Sequence, residues 1–171
     1  MKRILLMRHA KASRDEPGLA DFDRPLAPRG TEAAPAMGAW IQQAGWRPEV
    51  VLCSAARRAR DTLDGVWRDW PSRPPVRFED ALYTATAWDL LARLREVEAA
   101  TASILVVGHN PTIQQAAVDL AGGGDIEAYG RMKDKFPTAA LAVLEADVPE
   151  WLALNPGGAD LRAFVRPRDL A

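Results

Sequence analysis

The amino-acid sequence predicts one α/β domain with a central, mostly parallel sheet and helices on both of its faces. Three short apolar segments resemble strands buried on both sides, and helical patterns lie between them. This alternation is typical of a parallel sheet, because parallel neighbours need a crossover that a helix usually supplies. The chain has 171 residues, 48% hydrophobic and 26% charged, so we expect a single domain over residues 1–171.

The predicted strands are apolar runs bounded by polar residues. They cover residues 3–7, the segment EVVLCS at 49–54 and the segment SILVV at 103–107. None of them alternates apolar and polar residues, as a strand with one solvent-facing side would. We therefore expect each strand to be covered on both faces.

The predicted helices have apolar residues at helical spacing or recognisable end signals. Gly45 is a typical residue after a helix end, and Pro111 is of the type favoured in a first helical turn. The four segments cover about residues 28–44, 56–70, 87–100 and 111–120.

The regular alternation weakens after the glycines at 122–124, which we interpret as a helix terminator. The basic segment at 131–136 could form a basic rim for a protein or an acidic substrate, but we interpret it as a solvated loop. TAALAVLEA at 138–146 predicts a strand, and NPGG at 155–158 is a turn signal. LRAFVRP at 161–167 alternates in the manner of an edge strand.

Composition excludes several classes of protein. A net charge of −1 does not fit a strongly basic nucleic-acid binder. No stretch approaches the roughly 20 apolar residues of a membrane span, and the apolar run after Met1 is too short for a secretory signal. Cys53 is the only cysteine, so no intrachain disulfide can form. We expect a cytoplasmic protein with neither nucleic acid nor membrane as a partner.

Both histidines of the chain follow predicted strands. His9 lies two residues beyond the first strand, and His109 follows SILVV with one glycine between. The carboxyl ends of parallel strands open on one edge of the sheet, where ligands bind. A lone histidine is usually a core or surface residue, but the shared position of these two predicts a functional site at that edge.

Arginines lie beside both of these strand ends. Arg8 precedes His9, and SAARRAR after the second strand contributes Arg57 or Arg58, between which the residue pattern does not decide. The guanidinium fork suits phosphate oxygens. A neutral imidazole in such a pocket can attack phosphorus and form a covalent phosphohistidine, while arginines and His109 stabilise charge on the phosphoryl oxygens.

Further candidates for substrate binding flank the histidines. Lys11 adds positive charge close to His9, and Asn110 lies in the segment GHNP, which leads into a helix whose N-terminus favours an anion. The sequence thus predicts a phosphate pocket.

Two other classes of function fit part of this pattern. A metal site could use both histidines with an aspartate, but the neighbouring arginines disfavour a cation. A protein that only binds a phosphorylated ligand would need the arginines but not a nucleophilic histidine. The presence of His9 favours an enzyme, and we expect it to need no metal and no cofactor.

Four motifs together resemble the histidine phosphatase superfamily, whose fold is also called phosphoglycerate-mutase-like. They are similar to the sequence motifs of this family and follow one another in the same order along the chain. They fit best the small SixA-type phosphohistidine phosphatases. The motifs are MRHAK at 7–11, DRPLAPRG at 23–30, SAARRARDTL at 54–63 and VGHNPTI at 107–113.

The resemblance implies a role for each matching residue. His9 becomes the nucleophile, and Arg8 binds the phosphate beside it. The second arginine of the family follows the motif serine by four residues, which selects Arg58. His109 becomes the second histidine of the pocket. The implied substrate is phosphohistidine in a protein, and the runner-up is a small phosphoester.

One departure from the family concerns the general acid. Larger members place a carboxylic acid where this chain has Tyr83 and Thr84, and the nearby carboxylates do not match its position. SixA-type members resemble this chain in lacking an obvious acid. A phosphoramidate nitrogen can be protonated by solvent, so the departure favours phosphohistidine as the substrate. Mutase activity is disfavoured, because the insertions of the larger mutases are absent.

Overall fold

Strand β1 occupies the middle of a seven-stranded sheet in the computed structural model, which describes residues 1–171. The sheet order is β3-β2-β4-β1-β6-β7-β5. The strands are β1 (Lys2–Arg8), β2 (Val50–Ser54), β3 (Val76–Glu79), β4 (Ser103–Gly108), β5 (Ala121–Gly124), β6 (Leu141–Ala146) and β7 (Ala159–Val165).

Six α-helices and three short 3-10 helices connect the strands. The α-helices are α1 (Pro28–Gln43), α2 (Arg57–Val66), α3 (Ala81–Thr84), α4 (Ala87–Arg95), α5 (Thr112–Leu120) and α6 (Ile126–Asp134). The 3-10 helices are Asp21–Asp23, Trp151–Ala153 and Pro167–Leu170.

The sheet is mostly parallel, as predicted. Strand β1 pairs with β4, β4 with β2 and β2 with β3 in parallel, whereas β6 pairs with both β1 and β7 in antiparallel fashion. Strand β5 is parallel to β7, so β6 alone runs against the others. The carboxyl ends of β1, β2 and β4 therefore open on one edge, where the amino end of β6 also lies.

Helices cover both faces of the sheet, which confirms the predicted layers. Ile4 and Leu6 pack with apolar residues of α4, α5 and α6, whereas Leu5 and Met7 pack with those of α1 and α2. All four side chains are fully buried. Successive side chains of a strand point to opposite faces, so a continuous apolar run belongs to a strand between two helix layers.

Two predictions for the C-terminal half are wrong. Strand β7 is not an edge strand, because β5 pairs with its outer side. The glycines at 122–124 form that edge strand instead of only ending a helix. A Cβ on Gly122 would lie 1.9 Å from the carbonyl oxygen of Gly157, so only glycine allows the strand to approach this turn so closely.

The basic segment at 131–136 is not a solvated loop, because most of it is the end of α6. The side chain of Asp125 caps that helix by accepting a hydrogen bond from Ala128 N at 2.9 Å. Met132 and Phe136 are buried in the core, which orders the segment. Strand β3 has no predicted counterpart, since an edge strand that is largely exposed has no apolar run.

Two predicted helices are shorter in the structure than in the sequence pattern: α2 ends at Val66 and α4 at Arg95. After α2 the chain folds back over α1, where the Trp70 indole N–H donates to the Gly38 carbonyl oxygen at 3.1 Å.

No helix is both long enough and apolar enough to cross a membrane.

Close contact between α1 and α2 depends on Gly38. A Cβ at this position would lie 1.7 Å from the carbonyl oxygen of Val66. We expect Gly38→Ala to lower the free energy of unfolding by about 2–3 kcal/mol, because the helices must separate. Urea denaturation measures the change.

The matched control is Gly130→Ala on α6, where an added Cβ would meet no atom within 4 Å. Alanine is a better helix former than glycine, so this variant should be up to about 1 kcal/mol more stable than wild type. Equal effects of the two substitutions would contradict the packing argument.

Candidate active site

One cavity at the carboxyl edge of the parallel strands brings together all six residues predicted for the site. Its volume is about 230 Å³, and no carboxylate lines it. The lining residues are Arg8, His9, Lys11, Ala12, Arg14, Arg24, Arg58, His109, Asn110 and Thr138. Five lysine or arginine side chains around one small cavity make it strongly electropositive.

The backbone of His9 is held from two sides. Its N–H donates to the carbonyl oxygen of Gly108 at 2.9 Å, which extends the pairing of β1 with β4 by one residue. The next N–H, of Ala10, donates to Thr62 Oγ1 of α2 at 2.8 Å. His9 is 8% exposed. The ring therefore has a defined position at the cavity wall.

Hydrogen bonds define the protonation of His9. Its Nδ1 lies 2.7 Å from the carbonyl oxygen of Ala10, so Nδ1 carries the proton and donates it. Nε2 accepts from Arg58 Nε at 3.4 Å and is therefore unprotonated. Burial is the main cause that lowers the pKa of His9 to about 3, and the charge of Arg58 contributes. At neutral pH the ring has a free electron pair on Nε2, as a nucleophile requires.

His109 lies opposite, with its ring centroid 5.2 Å from that of His9. Its Nε2 is 2.7 Å from Ser54 Oγ, which also accepts a hydrogen bond from Ala56 N at 3.3 Å. Because Nε2 is the only acceptor within reach of the Ser54 hydroxyl, we assign the hydroxyl hydrogen to this contact and the ring proton of His109 to Nδ1. Burial lowers the pKa of His109 to about 4, and Arg58 adds to this effect.

Two nitrogens in the site lack protein partners. Arg8 donates from Nη1 to the carbonyl oxygen of Phe136 at 3.1 Å, but its Nε has no partner. The Nδ1 of His109 has none either, and these are the only two such buried side-chain nitrogen or oxygen atoms in the chain. Buried polar groups are normally satisfied, so two orphan N–H donors at one cavity indicate an anionic ligand.

The structure distinguishes Arg58 from Arg57, which the residue pattern alone left open. Both begin α2, but Arg58 is 7% exposed and faces the cavity. Arg57 points away and pairs with Asp61 of the same helix at 3.5 Å. The 100° rotation between successive helical residues puts only one of two neighbours on the inner face.

Sequence reasoning missed how Arg58 is anchored. Its Nη1 donates to the carbonyl oxygen of Asp21 at 2.7 Å, and its Nη2 donates to Asp21 Oδ2 at 3.0 Å. The same carboxylate accepts from Arg24 Nη1 at 2.9 Å and from the hydroxyl of Tyr83. Of these contacts only the pair of Asp21 with Arg24 lies within one segment, DFDRP at 21–25, where the sequence itself indicates a salt bridge; the others join segments far apart in the chain.

Tyr83 stands where the family resemblance implies a general acid, and its hydroxyl donates to Asp21. The Tyr83 hydrogen bond and the arginines hold the pKa of Asp21 well below its usual range, so its carboxyl is ionised. The bond to Asp21 raises the pKa of Tyr83. The Tyr83 ring contacts His109 edge-on, with centroids 5.4 Å apart. Thr84 is exposed.

The loop before β6 closes the cavity. Ala139 N–H donates to the carbonyl oxygens of Arg8 and His9 at 3.1 and 3.0 Å. Ala139 has φ of 63°, a left-handed conformation that is strained for alanine and that occurs at functional sites when the surroundings enforce it. This loop also places Thr138 in the cavity lining.

The donor set of the site suits an anion rather than a cation. Nowhere in the structure do three or more His, Cys, Asp or Glu side chains form a group that could hold a metal ion. Guanidinium groups and imidazole N–H groups surround the cavity, and both are donors for phosphate oxygens.

Comparisons with known proteins identify the family of this chain. A model of the histidine phosphatase superfamily (branch 1) matches residues 4–85. The solved structure of a protein from Nakamurella multipartitia, provisionally named phosphohistidine phosphatase SixA, has a TM-score of 0.84 and 32% identity. The match covers 97% of this chain and 96% of that one. The chain belongs to the histidine phosphatase superfamily, and within it to the SixA type.

Other relatives span the whole length as well. A protein from Agrobacterium tumefaciens with the same provisional name has a TM-score of 0.82 and 28% identity, with 97% of this chain and 98% of that chain covered. An uncharacterized protein of Mycobacterium tuberculosis is 39% identical over 164 residues, which are 95% of this chain and 100% of the relative. The expected phosphoglycerate-mutase-like fold is thereby confirmed.

The protonation of both rings can be measured directly, because the chain has only two histidines. With ¹⁵N-labelled histidine, NMR should show both rings neutral at pH 7 with the proton on Nδ1. His9 should titrate near 3 and His109 near 4, well below the ordinary value of about 6.5. A ring that titrates near 6.5 would contradict the burial argument.

Ser54→Ala is the matched variant, because it removes the hydroxyl that bonds Nε2 of His109 and leaves His9 untouched. Only the His109 signals should change.

Since the pKa values of His9 and His109 in the folded protein both lie below 6.5, the unfolded chain binds more protons at acid pH. The free energy of unfolding should thus fall as the pH is lowered from about 6.5 to about 3.

Proposed function

We propose that this phosphatase hydrolyses protein phosphohistidine through a covalent phosphohistidine on its own His9. Membership of the superfamily and the likeness to SixA proteins support a phosphatase. The observation that carries the covalent mechanism is that Arg8 and His109, which hold the orphan donors Nε and Nδ1, line the same cavity as His9, whose Nε2 is unprotonated. They match a phosphoryl group beside a nucleophile.

In the first step, Nε2 of His9 attacks phosphorus, and a P–N bond forms as the bond to the leaving group breaks. The substrate imidazole leaves with the electron pair of the broken bond, neutral because solvent has protonated its second nitrogen. The His9 ring becomes cationic, and its Nδ1–H remains bonded to the Ala10 carbonyl oxygen. Arg8, Arg58 and His109 stabilise the charge on the phosphoryl oxygens.

In the second step, water attacks phosphorus and the bond to Nε2 breaks. The electron pair returns to Nε2, the proton of the water passes to solvent or phosphate, and inorganic phosphate departs. Lys11 and Asn110 lie in the same cavity and add further groups for substrate binding. Neither step uses a metal or a cofactor.

The position and ionisation of the carboxylates support a substrate whose leaving group needs no strong proton donor from the protein. No carboxylate lines the cavity, and Asp21 is ionised and bound by Arg58. An alkoxide leaving group needs a strong proton donor, whereas a phosphoramidate is protonated on nitrogen before it leaves. Phosphohistidine is a phosphoramidate, so it is the substrate that fits a cavity without a carboxylic acid.

A small phosphoester is the second candidate substrate. The catalytic cavity, with a volume of about 230 Å³, is large enough for a compact molecule of this kind. A protein that only binds a phosphorylated ligand is the non-enzymatic alternative. The cytoplasmic location that the sequence favours stays a prediction.

A trapped phosphoenzyme tests the nucleophile. After incubation with a ³²P-labelled phosphoryl donor and rapid quenching, we expect label that is stable to alkali and labile to acid, because the bond is P–N. His9→Ala should carry no label. His109→Ala is the matched control, and it should still be labelled, more slowly. Label in His9→Ala would disprove the assignment.

A substrate panel tests the chemistry of the leaving group. Wild type should hydrolyse a phosphohistidine protein with kcat/KM at least about 100-fold above that for an alkyl phosphate, since no carboxylic acid lines the cavity to protonate an alkoxide. EDTA should leave the rates unchanged. A higher rate on the alkyl phosphate would favour the small-phosphoester alternative.

Two neighbouring arginines provide the control for this panel. Arg58→Gln should lower kcat/KM on every substrate by about 100-fold, as expected for a lost donor to the reacting phosphoryl group. Arg57→Gln should stay near wild type, because Arg57 pairs with Asp61 away from the cavity.

A further inference from the structure

A second cavity of about 340 Å³ opens beside the catalytic one, at the same edge of the sheet. The two cavities share Lys11 and Thr138 in their linings, so they lie next to each other. We name the second one the Arg29 groove. It is lined by Lys11, Arg29, Ala33, Pro137, Thr138, Arg166, Pro167 and Arg168.

Tight backbone contacts place the first turn of α1 against the segment that follows His9. Ala27 N–H donates to the Lys11 carbonyl oxygen at 2.8 Å. A Cβ on Gly30 would lie 2.3 Å from that oxygen, so the glycine allows this approach. Arg29 is consequently held next to Lys11, at one wall of the groove.

The C-terminal residues build the opposite wall. The 3-10 helix Pro167–Leu170 follows β7 at this edge, and Leu170 packs against the core under α1. Arg166 donates to Asp169 from Nε and Nη2 at 3.0 and 2.7 Å, which ties the ends of this turn together. Arg168 is exposed between them.

Three of the four cations that line the groove have no ionic partner. Four of its eight lining residues are cationic and none is acidic, in a chain whose net charge is −1. Arg166 is neutralised by Asp169, but Lys11, Arg29 and Arg168 form no ion pair. The first turn of α1 contains no acidic residue and no side-chain cap.

The proposed phosphoryl chemistry does not use these charges, because Arg8, Arg58 and His109 already surround the reacting group. A substrate held at His9 can therefore present a second negative group to the groove. Both buried orphan donors of the chain are in the catalytic cavity, whereas the groove has exposed cations spread along proline and alanine. Such a surface suits carboxylates on an extended segment better than one compact anion.

We propose that the Arg29 groove binds acidic side chains that flank the phosphohistidine in the substrate protein. This inference rests on the proposed function and adds the class of sequence that the enzyme selects. The groove contributes to substrate affinity and not to the chemical step.

The test uses two phosphohistidine peptides of equal length, with Glu in one and Gln in the other at the positions flanking the phosphohistidine. For wild type at low salt we expect kcat/KM roughly 5- to 10-fold higher for the Glu peptide, with the difference in KM, as two exposed ion pairs allow. In Arg29→Gln/Arg168→Gln the ratio should fall to about 1, with the rate on the Gln peptide unchanged.

Arg73→Gln/Arg77→Gln is the matched control. It removes the same charge at and before β3, on exposed residues outside both cavities, and should keep the wild-type ratio. Added salt should reduce the preference in wild type and in this control. A ratio of kcat/KM values near 1 in wild type would contradict the proposed role of the groove. So would a ratio that Arg29→Gln/Arg168→Gln leaves unchanged. In both cases hydrolysis of the peptides would still support the proposed function.

Failure of the proposed function gives a different result. Neither peptide would then be hydrolysed, although p-nitrophenyl phosphate would be. In that case fluorescence anisotropy with the labelled, unphosphorylated Glu peptide tests whether the groove binds acidic side chains. Binding to wild type that is lost in Arg29→Gln/Arg168→Gln would support the groove as a binding site. Absence of binding to wild type would contradict it.

Discussion

The burial of β1 between two helix layers is the constraint on which the catalytic geometry depends. Its apolar residues are fully excluded from solvent on both faces, and its neighbours are β4 and β6. The strand can therefore neither slide nor rotate without exposing apolar surface, which would cost about 25 cal/mol per Å². The register of Arg8 with Gly108 then brings His9 and His109 to the same level of the sheet.

Burial also determines the chemistry of the site. Removing water from around His9 and His109 favours their neutral forms, and the nearby guanidinium groups act in the same direction. The protein concentrates cations around a cavity without carboxylates, and it pairs two of them, Arg24 and Arg58, with Asp21. The orphan donors that remain are unfavourable for the folded protein by itself and favourable for binding phosphate.

The catalytic cavity and the Arg29 groove have a common structural origin. The carboxyl ends of β1, β4 and β7, the amino end of β6 and the start of α1 all meet at one edge. In the proposed mechanism buried donors bind the phosphoryl group there, while exposed cations next to it are available for the rest of the substrate. Rate and selectivity would then depend on different side chains, which separate substitutions can distinguish.

The sequence by itself determined the layered fold and the place of the site. Continuous apolar runs identify β1, β2 and β4, and because parallel strands end at one edge, the residues after them had to meet. His9, His109 and Arg8 follow from that rule alone, and the family motif selected Arg58 over Arg57. Sequence patterns missed β3 and α6, whose short or mixed sequences have no clear apolar period.

Only the tertiary structure decided which groups hold the predicted site residues in position through hydrogen bonds. Such contacts join segments far apart in the chain: Ser54 bonds His109, Asp21 bonds both Arg58 and Tyr83, and the Ala139 loop bonds the backbone of Arg8. The Arg29 groove likewise depends on how the last residues pack against α1. Periodicity and motifs describe local segments, whereas a hydrogen bond between distant residues depends on how the whole chain packs.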